Sequence, residues 1–277
     1  MKADPSLDPD EAAMAREVED ALSESLAPLA PPADRAAALR ARVLARVRSS
    51  REAGQQFITL RLDDGEWRRL LPGVRVKRLG AGRHAVLLEL APGAALPVHR
   101  HHEDEECIVL RGEAMLGETV VRAGDYHLAR AHSRHGRVSS TSGALLYLRG
   151  TPIGDAAGTL RDLVTGWLPG EGEPPVTVRA GEGAWAEVGA GARTRLLRED
   201  GGTRSFLVRL DPGGRIDAAD RDGDEECLVL EGEALLGDAL LLPGDYQCVP
   251  SGVRPAGLCS DGGALLFVRG MADSVGE

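Results

Sequence analysis

Residues Pro97 to Gly117 read PVHRHHEDEECIVLRGEAMLG, and three side chains in this stretch have metal-ligand chemistry at a usable spacing. In an extended chain alternate side chains share a face, so His99, His101 and Glu105 fall on one side and His102 and Glu106 on the other. Two imidazoles and a carboxylate on one face make a ligand cluster for a divalent transition ion. A fourth ligand must come from elsewhere. His135, which follows the Gly124–Tyr126 turn GDY, is the best candidate. His102 reads as an outer or exposed neighbour, and His84, His127 and His132 as surface or pocket-rim histidines.

These residues must be positioned by β-structure. Phe57–Leu60, Val74–Val76, Val86–Leu90, Glu106–Leu110 and Ala144–Leu148 are short β-rich runs separated by glycine-containing turns, the signature of a sandwich or jelly roll. The chain then repeats itself. EECIVLRGEAMLG at 105–117 returns as EECLVLEGEALLG at 225–237, AGDY at 123–126 as PGDY at 243–246, and GALLYLRG at 143–150 as GALLFVRG at 263–270, each displaced by 120 residues (225 − 105). Trp67 returns as Trp185, displaced by 118 (185 − 67), so two residues are inserted between these landmarks. Self-similarity at this period means a duplicated domain.

The spacing Gly93-x5-His99-x-His101-x3-Glu105-x6-Gly112 resembles the first motif of the cupin family. Gly124, Arg130, His132 and His135 resemble the second, with Arg130-x-His132 where that motif usually carries Pro-x-Gly and Ser139 at its closing Asn position. More narrowly, HxHxxxEE followed by GDY is similar to the cupin domain of ChrR-type anti-sigma factors. The resemblance implies an all-β fold of two tandem cupin barrels (double-stranded β-helix, or jelly roll) behind a short helical N-terminal arm. It implies one divalent metal held by His99, His101, Glu105 and His135, zinc first, with iron, manganese and nickel as alternatives. It also implies a regulatory or sensor role in control of transcription. The other function class is a metal-dependent dioxygenase or isomerase acting on a small organic molecule, with Tyr126, His127, Arg130 and His132 as rim groups.

The expected organisation is an arm at 1–53, a metal-binding barrel at 55–152, a linker at 153–172 and a second barrel at 173–272. Asp8-Pro9-Asp10-Glu11 reads as a helix start, and Met14, Val18, Leu22 and Leu26 as its apolar stripe. A second helix begins near Ala33 and Asp34, with Leu39, Val43 and Val47 on one face. The stretch LAPPADRAAALRARVLARV resembles the connector of ChrR-type proteins, so a sigma factor or another protein is the partner expected for these helices. Their zinc motif HxxxCxxC is absent, because residues 1–53 contain no Cys and no His.

By the 120-residue displacement the ligand positions of the second barrel hold Ala219, Arg221 and Pro255, and only Glu225 survives. A lone buried carboxylate is costly, so Arg221 is expected to pair with Glu225. Cys107 and Cys227 should face the barrel interiors, and Cys227 and Cys259 could approach each other. A net charge of −10 argues against a nucleic-acid surface. No apolar run reaches membrane-spanning length, no signal peptide is read at the N-terminus, and four cysteines without CxxC fit a reducing cytoplasm. A homodimer through sheet edges is compatible with all of this. Aromatics make up only 3% of the chain, so the cores must be built from Leu, Val and Ala.

Overall fold

The structure is a computed structural model. It describes residues 36, 38–42, 44–45, 57–80, 85–101, 103–150, 172–217, 223–253 and 257–271. The chain divides into two units, Met1–Arg51 and Glu52–Glu277. In the first unit the described residues between 36 and 45 are helical, with Leu39 and Leu44 about half exposed. The expected first helix lies outside the described residues. No helix among the described residues is long and apolar enough to cross a membrane.

The regular elements among the described residues of the second unit are all β-strands, and they form both barrels. One sheet runs in the order Val176–Val178, Tyr126–Ala129, Glu105–Leu116, Ala144–Arg149, Ala85–Leu90, Val74–Arg78, Arg68–Leu71. Its counterpart runs Ile58–Leu60, Tyr246–Val249, Glu225–Gly232, Ala264–Met271, Thr203–Leu210, Ala192–Asp200, Ala186–Gly189. Neighbouring strands are antiparallel, and the two orders correspond strand for strand.

The leading strands are exchanged. Ile58–Leu60, which precedes the first barrel, pairs with Tyr246–Val249 of the second. Val176–Val178, which precedes the second, pairs with Tyr126–Ala129 of the first. The repeated GDY explains how each visitor is held. Asp245 accepts from Arg61 and from the Leu62 amide, both at 2.8 Å. Asp125 accepts from Arg179 at 2.9 Å and the Ala180 amide at 2.8 Å. Behind each strand a cation buried in the fold, Lys77 or Arg195, donates to the carbonyls of the following loop: Arg61, Leu62 and Asp64 in one case, Ala180 and Glu182 in the other.

Glu105–Leu116 shows why the central strands read as continuous apolar runs. Its first five residues are all buried, because both faces are covered. Cys107 and Val109 join Val86, Leu88, Leu146 and Leu148 inside the first barrel. Ile108 joins Tyr126, Leu128, Tyr147, Tyr246 and Phe267 in a cluster shared by the two barrels. The second barrel has its own interior around Val208, Cys227, Val229 and Leu266. The buried members of both interiors are Val, Leu, Ala and Cys only. Most of the described aromatics gather between the barrels instead: all three tyrosines and Phe267 are buried there, with Trp67 and Trp185 packed alongside, while Phe206 packs against the second interior. Large rigid rings suit a flat sheet-to-sheet contact better than a narrow barrel.

Gly112 marks a close approach. It has φ +76°, and a Cβ there would collide with the Gly143 carbonyl. Gly232 and Gly263 repeat that contact, so the strands admit no side chain at Gly112 or Gly232.

Candidate metal centre

His99–Arg100 and Arg134–His135 form a two-stranded antiparallel ladder in which His135 lies opposite His99. The two segments that carry the predicted ligands are therefore adjacent. The His99 and His101 rings are 5.0 Å apart, edge to face, and His101 Nδ1 lies 3.9 Å from Glu105 Oε2. His101 and Glu105 are buried, His99 partly so. His99 Nδ1 donates to the Pro97 carbonyl at 3.0 Å, which leaves Nε2 of that ring as the lone-pair nitrogen. The His135 side chain lies outside the described residues. Among the described residues, no group of three or more His, Cys, Asp or Glu side chains closes to metal-binding distance. The donor set nonetheless fits a divalent transition ion in type: two imidazoles, one with its tautomer set by a backbone carbonyl, and a carboxylate, with a third imidazole-bearing residue in register opposite.

Asp104 joins the two ligand-bearing segments. Its Oδ1 accepts the Ala131 amide at 2.7 Å and its Oδ2 accepts from Arg130 at 3.1 Å. The turn so held is bonded to His101 in both directions, His101 N to Ser133 O at 3.1 Å and His132 N to His101 O at 2.9 Å. His132 has φ +62°, the one non-glycine residue with positive φ among those described. The second barrel has Gly252, φ +80°, at the matching place after Pro250, and Asp224 there accepts the Ser251 amide at 2.8 Å. The glycine usual to the motif is thus a backbone requirement, and His132 meets it under strain.

Two expectations for the rim are corrected. His127 is buried, 2% exposed, and its Nδ1 lies 2.9 Å from Thr177 Oγ1 on the exchanged strand. Burial, reinforced by the Arg179 cation, pulls its pKa down to about 4, so it is neutral near pH 7. Tyr126 is buried between the barrels and donates to Glu106 Oε2 at 3.0 Å; burial and then the Glu106 charge push its pKa up. Both residues lie on Tyr126–Ala129, which is covered by a strand from the other half of the molecule, and sequence alone gave no sign of that cover. Arg130 is half-buried and His132 exposed.

The expected pairing of Arg221 with Glu225 falls outside the described residues. Cys107 and Cys227 do face the two interiors. Burial and then the neighbouring Glu105 or Glu225 raise their pKa values, which keeps the thiols protonated. All four cysteines are free.

The missed residues are the charged pairs between the barrels. Glu106 accepts from Arg269 of the second barrel at 2.9 Å. Glu226 accepts from Arg149 at 2.9 Å and Tyr147 at 3.0 Å, both of the first barrel. Arg198 adds a third cation, its NH1 3.6 Å from Glu106 Oε1. The signal was present in the doublets Glu105-Glu106 and Glu225-Glu226 and in the repeated Arg149 and Arg269.

The profile of the ChrR cupin-like domain matches residues 55–153 and again 173–272. No curated protein matches the chain. Among solved structures, a candidate dioxygenase from Nostoc punctiforme is 17% identical and superposes with a TM-score of 0.57 over 79% of this chain and 84% of its own. A mutant of Bacillus subtilis oxalate decarboxylase is 16% identical, with a TM-score of 0.55 over 78% and 77%. A candidate glyoxylate-induced protein from Pseudomonas aeruginosa is 15% identical, with a TM-score of 0.57 over 77% and 88%. At these identities the likeness is one of fold, that of two-barrel cupins. The two profile matches cover most of the chain, which belongs to the ChrR cupin-like family and carries its domain twice.

Proposed function

We propose that this bicupin binds one divalent transition metal in its first barrel, through His99, His101, Glu105 and His135, and acts as a ChrR-like regulatory sensor. The observation that carries the reading is the ladder that sets His135 opposite His99, in the one barrel whose ligand positions are filled. When bound, zinc would supply a centre whose ligation responds directly to oxidation or protonation of its ligands. The chain's own residues would do the rest. Pro97 O sets the His99 tautomer, and Asp104 holds the turn that carries the fourth ligand against the first three. The unit Met1–Arg51, whose described residues between 36 and 45 are helical with Leu39 and Leu44 exposed, is the part suited to a protein partner, a sigma factor first.

The test is capture of a sigma factor by the full chain, compared with a chain lacking residues 1–53. Capture that depends on those residues and changes with metal loading supports the sensor. No capture in either metal state removes it.

A second reading, a metal-dependent enzyme, draws on the candidate dioxygenase and the oxalate decarboxylase among the structural neighbours. Iron or manganese in the purified protein, with coordination positions open to a small ligand, would favour it. Zinc closed by four protein ligands would favour the sensor.

A further inference from the structure

We propose that Arg198, a residue of the second barrel, is a positioning residue for the metal centre of the first. This rests on the reading that His99, His101, Glu105 and His135 hold a metal. Glu105 sits in the chain between Asp104 and Glu106, and Arg198 reaches both. Its NH2 group bonds Asp104 Oδ2 and its NH1 lies 3.6 Å from Glu106 Oε1. The same NH2 is 2.7 Å from Asp200 Oδ2, which steadies the guanidinium from behind. The Arg198 side chain is only 14% exposed, and Asp104 and Glu106 are 21% and 2% exposed, so those two contacts are partly shielded from bulk water and screened little.

The consequence runs along direct contacts. Arg198 holds Asp104, and Asp104 holds Ala131 and Arg130. The turn through 130–133 is bonded to the backbone of His101 on one side and leads into the ladder of His135 with His99 on the other. One guanidinium therefore fixes the junction of both ligand-bearing segments and both chain neighbours of the ligand carboxylate. A planar fork can span two carboxylates in this way, and an ammonium cannot.

The second barrel supplies an internal control. Its Asp224 makes the equivalent bond to Ser251, so the junction exists there too. The residue of the first barrel that corresponds to Arg198 at the 118-residue offset (198 − 118 = 80) is Gly80, which has no side chain to offer. The arginine that clamps the junction carrying three histidines thus has no counterpart side chain at position 80 of the first barrel.

The experiment titrates zinc alone into the metal-free full chain against a competing chelator. Arg198→Ala should weaken zinc binding by about 10- to 100-fold, the usual cost of losing an outer-shell partner, and should shift the visible absorption of the cobalt-substituted protein. Arg198→Lys should fall in between. Arg61→Ala, which removes a contact between the barrels at Asp245, should leave zinc affinity within about threefold of wild type, well short of the outer-shell cost. Arg198→Ala at wild-type affinity overturns the proposal, as does an equal loss in Arg61→Ala, which would mean general loosening. If Arg198→Ala does not fold, Arg198→Lys at wild-type affinity overturns it. Full zinc binding by His99→Ala would instead defeat the ligand assignment, a separate outcome.

Discussion

The two barrels share strand order, the GDY clasp, the aspartate junction and the glycine contact at 112 and 232, yet only one carries histidines at the ligand positions. Every hydrogen bond that shapes the junction in the first barrel and is repeated in the second must form without help from a metal. The frame is therefore a property of the fold, and the candidate ligands stand on a frame that already exists. This separates two quantities that are fused in small zinc domains, where metal binding is folding energy.

The comparison can be broken most decisively by metal analysis. The chain should bind one equivalent, and His99→Ala or His135→Ala should weaken binding by more than about 100-fold, beyond any outer-shell effect. A second equivalent, retained in both variants, would place metal in the other barrel. Both variants should still fold when metal-free.

Next in size is the buried charge between the barrels. Glu226→Ala strands Arg149 and Tyr147 and should cost roughly 3–5 kcal/mol in denaturant unfolding, while zinc affinity in the folded protein stays unchanged. A loss below about 1 kcal/mol would mean that water replaces the pair.

Acid should distinguish the halves as well. His127 has Gln247 as its counterpart, and the two bond Thr177 and Thr59 in the same way. Its folded pKa of about 4 lies below the unfolded value of about 6.5, so the unfolded chain binds the extra proton. Stability is then full above pH 6.5 and falls as pH drops towards 4, by roughly 3 kcal/mol in total. His127→Gln should flatten that part of the curve, and an unchanged slope would reject the assignment.

The smallest effect is at the strained turn. His132→Gly should raise thermal stability by up to about 1 kcal/mol, and Gly252→His should lower it by about 1–2 kcal/mol. Equal and opposite changes are not expected, because glycine also loosens the unfolded chain.

Much of this was legible in the sequence. The repeat at 120 residues gave the duplicated fold, and the spacing of His99, His101 and Glu105 anticipated that these side chains lie near one another, the His99 and His101 rings 5.0 Å apart and His101 3.9 Å from Glu105. What failed did so for one physical reason: a period of two reveals which side chains share a face, and says nothing of what covers that face. Ile58–Leu60 reads as a strand of the barrel it precedes, and nothing local says that its partner lies some 190 residues on at Tyr246–Val249. Tyr126 and His127 read as rim residues because their cover comes from Val176–Val178. Nothing local to Glu106 or Glu226 says that an arginine of the opposite barrel closes over each of them.

The traded leading strands make each half structurally incomplete. Cut between the barrels, the fragment 55–153 would keep Ile58–Leu60 with nothing to bind and expose the bare edge of Tyr126–Ala129 that Val176–Val178 now occupies. One copy's spare strand fits another copy's vacancy, so two such fragments should embrace as a closed pair and rebuild between molecules the interlock that the intact chain makes within itself.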